Sequence, residues 1–302
     1  MDSVPYYFAR TVVAHQKSPV DIEQLGGVWA SAAVEEGDSR FHCELHLIST
    51  TDPNVWLYNF ACLSDEFKKA LTIQQVKERN LAHLRVSKIT LTRFSFPPGT
   101  FHEVSERELI SELLPFACRY LTCGQGLNLN TAEIPSHPDV ERAIFRTASS
   151  LINLRDVSLS YVGAQSHEFL LELLKMEHLE ILVLRYNWPV DNIRLMLETW
   201  PNTHLKKVYT RVCSTTLDIV LLKQIYELWL RGFFVTRLFD GHFSSDLGPA
   251  QLDDLLGEGV KPSWCSPNVF KVWCSQHPLR GTFQVTRSSY SYSGYTTIRI
   301  SA

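Results

Sequence analysis

The sequence predicts an α/β fold: an irregular horseshoe, with parallel strands in a curved sheet and helices on one side, preceded by a helix and a β-hairpin and closed by a C-terminal hairpin. Three observations carry this. Segments of the pattern Leu-x-x-Leu-x-Leu, or a looser relative, begin at Leu154, Leu179, Leu205 and Val235, at intervals of 25, 26 and 30 residues. Helix-start signals lie between them, so each unit of roughly 20–29 residues holds one strand and one helix, the period of leucine-rich repeats. The strands are apolar on one side: Val157, Leu159 and Tyr161 alternate with Ser158 and Ser160, and Ile89 and Leu91 with Lys88, Thr90 and Thr92. A doubly wound sheet, covered on both faces, would make them apolar throughout, as only Ile181 and Val183 of "LEILVLR" suggest.

Taken in order, Val4, Phe8 and Val12 recur at helical spacing, with Ser3 to cap and Pro5 in the first turn. "RFHCELHLIST" and "NVWLYNFAC", joined by Asp52-Pro53-Asn54, predict antiparallel structure between 40 and 63. Ser105 and Glu108 make a capping box before Leu109 and Leu113. Pro138 opens a helix with Val140, Ile144, Ala148 and Leu151 on one face, and Ser166 and Pro189 precede two more. The segment 216–231 ends at Gly232, and Pro249 and Gly257 bracket a short helix. "VSKITL" at 86 and "GLNLN" near 126 read as further strands. "SPNVFKVWCSQHP" reads as a short capped helix, followed by a hairpin with Phe283 and Val285 on one arm and Ile298 and Ile300 on the other. The division expected is 1–63, 64–262 and 263–302.

Composition is that of an ordinary globular chain, 45% apolar and 20% charged. A net charge of −3 implies no sequence-independent attraction to nucleic acid or to an anionic membrane. No apolar run reaches the length of a leader or a membrane span, and no Asn-x-Ser/Thr acceptor occurs. The seven cysteines are odd in number and irregularly spaced. They are read as reduced and mostly buried, in an intracellular protein, cytoplasmic or nuclear.

Chemical motifs are sparse. His42 and His46 sit four apart, but on a strand that is roughly 13 Å, at about 3.3 Å per residue, too far for one ion. Cys274 and His277, with Cys265 nearby, form at most a half-site. Phosphate loops, nucleophile elbows and zinc-helix signatures do not occur. No cofactor, no metal and no catalytic residue is therefore expected. What remains is surface: Ser158, Ser160, Val183, Arg185, Tyr209, Arg211, Arg237 and Phe239 flank the inward leucines and would line the concave face. Tyr, Arg and Phe on adjacent rungs are the residue types that anchor protein interfaces.

The opening "MDSVPYYFARTVV", with the Trp29 segment, resembles a nematode-expanded family of uncharacterised F-box-like, leucine-rich-repeat-like proteins. Val4, Pro5, Phe8 and Val12 look like the first helix of an F-box. The resemblance implies a substrate-receptor-like subunit: this helix would meet a Skp-type adaptor of a cullin ubiquitin ligase, and the repeats a target protein. An F-box is a cluster of helices, whereas helix-compatible sequence here gives out near Leu25, so only its first helix is expected. The function expected is a non-enzymatic protein-interaction module. The alternatives are an enzyme on a doubly wound sheet, with its pocket at the strand C-termini, and a self-associating structural protein.

Overall fold

The computed structural model describes residues 4–14, 20–52, 54–62, 70–92, 101–129, 138–149, 154–245, 247–257, 259, 269–290 and 293–301. The fold is mixed α/β, without a closed barrel, and falls into two units, Met1–Arg155 and Asp156–Ala302. None of the described helices is long and apolar enough to cross a membrane.

The first unit opens with three helices: α1 (Tyr6–Ala14), α2 (Val20–Glu23) and α3 (Gly27–Ser39). Helix-compatible sequence therefore does not end near Leu25. Helix α3 escapes a periodicity search because the residues it buries are Ala32, Ala33 and the charged Glu36. Its alanines supply helix propensity rather than an apolar stripe. Ala9 and Val13 of α1 close on Ala32 and Ala33, with Val4, Ile22, Val28 and Trp29 around them.

Strands β1 (Phe41–Ser49) and β2 (Val55–Cys62) form the expected hairpin, pairing Cys43 with Cys62 and Leu45 with Phe60. Strand β3 (Ala70–Leu71) pairs with β2, and α4 (Ile73–Lys77) follows behind a Thr72–Gln75 capping box. Strand β4 (Leu84–Thr92) runs parallel to β1, and β5 (His102–Ser105) antiparallel to β2. Ser105 and Glu108 cap α5 (Glu106–Glu108), as the sequence indicates. A π turn at Leu109–Leu113 then leads into α6 (Leu114–Arg119). Strand β6 (Leu121–Leu129) runs parallel to β4, and α7 (Pro138–Ser149) buries Val140 and Ile144. Leu151, assigned to the same stripe, lies outside the described residues.

The second unit alternates strand and helix: β7 (Leu154–Ser160), α8 (Ala164–Leu173), β8 (Ile181–Arg185), α9 (Val190–Thr199), β9 (Lys207–Leu217), α10 (Ile219–Leu230), β10 (Leu238–Ser245) and α11 (Pro249–Leu256). Strands β7 to β10 are parallel neighbours. Three antiparallel strands complete the sheet: β11 (Val269–His277), β12 (Gly281–Tyr290) and β13 (Ser293–Ser301), with β13 against β10. Phe283 faces Ile300 and Val285 faces Ile298, which is the expected terminal hairpin. The segment read as a capped helix is instead strand β11, where Trp273 pairs with Val285 and Cys274 with Gln284.

Register fixes the core. Val157, Leu182, Val208 and Phe239 stand in line across four strands. Leu154, Leu179 and Leu205, each three residues before its rung, are all buried. The fourth interval is one residue longer than the sequence pattern suggests, because Phe239, and not Leu238, pairs with Val208. Shifting a strand by one residue exchanges its faces, so Phe239 belongs to the core side. There its ring meets Trp200 at 6.3 Å and Phe234 at 6.4 Å. On the same side Phe283 meets Trp229 of α10 at 5.7 Å. The tryptophans also satisfy backbone: Trp188 Nε1 donates to Leu159 O at 3.1 Å and Trp200 Nε1 to Leu205 O at 2.6 Å. Gly232 caps α10 at φ 76°, the left-handed value glycine tolerates.

Candidate functional site

On the other side of the second sheet, the residues between the core positions form a polar face. Strand β7 contributes Asp156, Ser158 and Ser160, β8 Val183 and Arg185, and β9 Lys207, Tyr209 and Arg211. Strand β10 adds Asp240 and His242, and β13 Thr297 and Arg299.

Asp240 is the hub. Its side chain is 9% exposed. Oδ2 lies 3.2 Å from Arg211 and 3.6 Å from Arg299, and Oδ1 lies 3.5 Å from His242 Nε2. The His242 contact, and after it the two guanidinium groups, hold the Asp240 carboxyl below the ordinary carboxylate range, against the opposing effect of burial. Arg211 also approaches His242 Nε2 at 2.7 Å. On its other side, His242 Nδ1 lies 3.3 Å from Thr297 Oγ1. The Arg211 guanidinium lies 5.1 Å from the centre of the Tyr209 ring. Arg185 donates through Nε to Ser158 Oγ at 2.7 Å.

The eight residues expected on the concave face divide. Val183, Arg185, Tyr209 and Arg211 are partly exposed on the polar face. Ser158 and Ser160 are at alternate positions of β7 but buried, Ser158 accepting from Arg185. Phe239 is on the opposite side, in the core. Arg237 precedes β10, and its guanidinium is committed to Leu205 O and Thr203 O, both at 3.2 Å, above the Phe233 ring. Asp240, His242 and Arg299 were not expected. Asp240 and His242 were hidden by the one-residue shift at β10, and Arg299 by its place in a terminal hairpin.

The second feature is the N-terminal helical cluster. Of the residues expected on its adaptor-facing side, Phe8 is 55% exposed and Pro5 is exposed, whereas Val4 and Val12 are partly buried. Tyr7 at 79% and Leu25 at 55% extend the apolar surface. Phe8 meets Trp29 edge-on at 6.3 Å.

A buried ionic knot holds the cluster to the first sheet. Glu36 of α3 receives Arg85 at 2.5 Å, Arg40 at 3.0 Å and His83 Nδ1 at 3.0 Å. Arg10 of α1 approaches His83 Nε2 at 3.0 Å. Arg85 and Arg40 also donate to the last carbonyls of α1, at Ala14 and Val13.

A cleft of about 410 Å³ opens beyond the ends of β8 and β9, lined by Asn187, Trp188, Pro189, Val190, Thr215, Thr216 and Asp218. Its principal polar groups are engaged in the fold: Thr215 with Trp188 O, and Asp218 with Leu221 N and Arg194. Among the described residues, no group of three or more His, Cys, Asp or Glu is placed to hold a metal ion. Comparison of the chain with family models, with curated proteins and with solved structures gives no match in any of the three.

Proposed function

We propose that the chain is a non-enzymatic protein-interaction module of the inside of the cell. Its irregular horseshoe offers the polar sheet face to a protein partner, and its helical N-terminus meets a Skp-type adaptor of a cullin ubiquitin ligase. The observation that carries the reading is the face itself: Tyr209 and Arg211 stand partly exposed on it, Arg211 held by Asp240 and His242 with its guanidinium 5.1 Å from the centre of the Tyr209 ring. Aromatic and arginine side chains held in place by neighbours lose little conformational entropy on binding. The adaptor half is supported by three helices where the resemblance implies a helical cluster, and by Tyr7, Phe8 and Leu25 left exposed on it.

Affinity purification from native tissue tests both halves. The intact chain is expected to recover a protein that Tyr209→Ala and Arg211→Ala each lose, together with Skp-type and cullin subunits that Phe8→Asp loses. If neither sheet variant changes what is recovered, the partner face is wrong. Absence of adaptor and cullin subunits removes the ligase half and leaves the other standing.

A further inference from the structure

Cys43 and Cys62 stand directly opposite one another in the β1–β2 ladder, at the end away from the turn. Residues so paired point to the same face of a sheet. Here that face is the core: both cysteines are fully buried, as are Leu45 and Phe60, the next pair on it. Both side chains are thiols. Directly paired residues of an antiparallel ladder have Cα atoms about 4.5 or 5.5 Å apart, depending on whether the pair exchanges hydrogen bonds. Either spacing lies within the roughly 4.4–6.8 Å that a disulfide spans. Their Cβ atoms, at about 4.5–5.5 Å, stand at or just beyond the upper end of the disulfide range, so closure draws the strands slightly together. Such a bond is strained and therefore readily reduced. Burial, and after it the charge of Cys62, push the Cys43 thiol up to about 12, so reaction begins only when this end of the ladder opens. The end is weakly held: β1 slips register against β4 immediately after Cys43, and Cys62 is the last residue of β2.

We propose that Cys43 and Cys62 form a redox-active pair, closed to a cross-strand disulfide by glutathione disulfide and reopened by glutathione. The thiolate of one cysteine attacks a sulfur of glutathione disulfide, breaking its S–S bond and releasing one glutathione thiolate. The thiolate of the other cysteine then attacks the sulfur of the first and expels the second glutathione. The two protein protons pass to the two glutathione thiolates. Two cysteine sulfurs are thereby oxidised and two glutathione sulfurs reduced. The closed bond ties the open end of the β1–β2 hairpin, and removes conformational freedom from the unfolded chain by closing a loop.

The test equilibrates the full chain in buffers of rising glutathione disulfide to glutathione ratio. Parallel samples contain urea below the unfolding transition, which opens the hairpin end and should speed closure. After alkylation of remaining thiols under denaturing conditions, peptide mapping by mass spectrometry is expected to find Cys43 and Cys62 linked to each other, and separated again by dithiothreitol. The oxidised protein should melt about 3 °C or more above the reduced one, the effect of tying a loop of roughly 20 residues. Cys43→Ala and Cys62→Ala should each lose that rise, whereas Cys274→Ala, at an exposed position, should keep it. Three results overturn the proposal: both thiols still alkylated after the most oxidising buffer with urea, a link from either cysteine to a different one, or an oxidised protein that melts no higher than the reduced one.

Discussion

Glu36 and Arg85, 49 residues apart in sequence, meet at 2.5 Å with both side chains buried. Arg40 and His83 complete the carboxylate's shell, and burial lowers the Arg85 pKa. Removing one member of such a group strands the others without solvent. Glu36→Gln is therefore expected to destabilise the protein by about 3–5 kcal/mol, read by chemical denaturation. The first unit should suffer first, seen as faster hydrogen exchange in α1 and α3. A loss below about 1 kcal/mol would mean the knot is solvated and does not anchor the helices.

Asp240 is expected to make the second unit acid-sensitive. Its folded pKa is depressed, chiefly by His242 and then by Arg211 and Arg299. The ionised carboxylate therefore stabilises the fold fully above the unfolded value of about 4, and that contribution disappears as pH falls through the lower folded value. Asp240→Asn should cost about 1–2 kcal/mol at neutral pH, as for a charged hydrogen-bond group. It should also flatten the acid limb of the stability curve. Urea titrations across the acid range compare the two proteins, and parallel curves down to the lowest pH would contradict the assignment.

The elements that sequence reading located are those whose signals are local. The β1–β2 and β12–β13 hairpins, the Ser105 capping box and the Gly232 cap each rest on a few adjacent residues, and each is present. What escaped depends on partners distant in the chain. Helix α3 buries Glu36, which is apolar to no scale and is paid for by Arg85 and His83. Strand β11 mixes Val269, Val272 and Trp273 in a run that fits either period, and its pairing with β12 decides it. The polar face was legible on β8 and β9, where intervals were regular. It was misread on β10, where α10 and the turn at Phe233–Val235 add one residue to the rung. That single residue placed Phe239 outward and concealed Asp240, the centre of the site.

Buried thiols give a third test. Burial pushes the Cys43 and Cys118 thiols up to about 12, well above the ordinary value near 9. Both should resist alkylation in the native protein at mildly alkaline pH, while exposed Cys274 reacts quickly. Mass mapping of peptides after brief iodoacetamide treatment checks this. Because the folded pKa values are raised, the neutral thiols contribute stability that is complete below the unfolded pKa, about 8.5. It is lost as pH rises toward about 12, so stability should decline on that alkaline side. Early labelling of Cys43 would mean that the β1–β2 hairpin opens locally.

Gly241 shows how tightly the two faces of β10 are coupled. It sits between Phe239 and Phe243, whose rings stack across it with centroids 6.4 Å apart. A Cβ built there would lie 2.4 Å from the Phe243 ring and 2.8 Å from that of Phe239. The glycine is needed for space, since the rings occupy the volume of its missing side chain. Gly241→Ala must push one ring toward Trp200 and Phe234, and overpacking of this kind costs about 1–3 kcal/mol. The shift would also move the backbone that carries Asp240 and His242. The variant should therefore lower the melting temperature, read by thermal denaturation beside the parent. A Gly241→Ala protein of parental stability would show that the aromatic layer has room to yield.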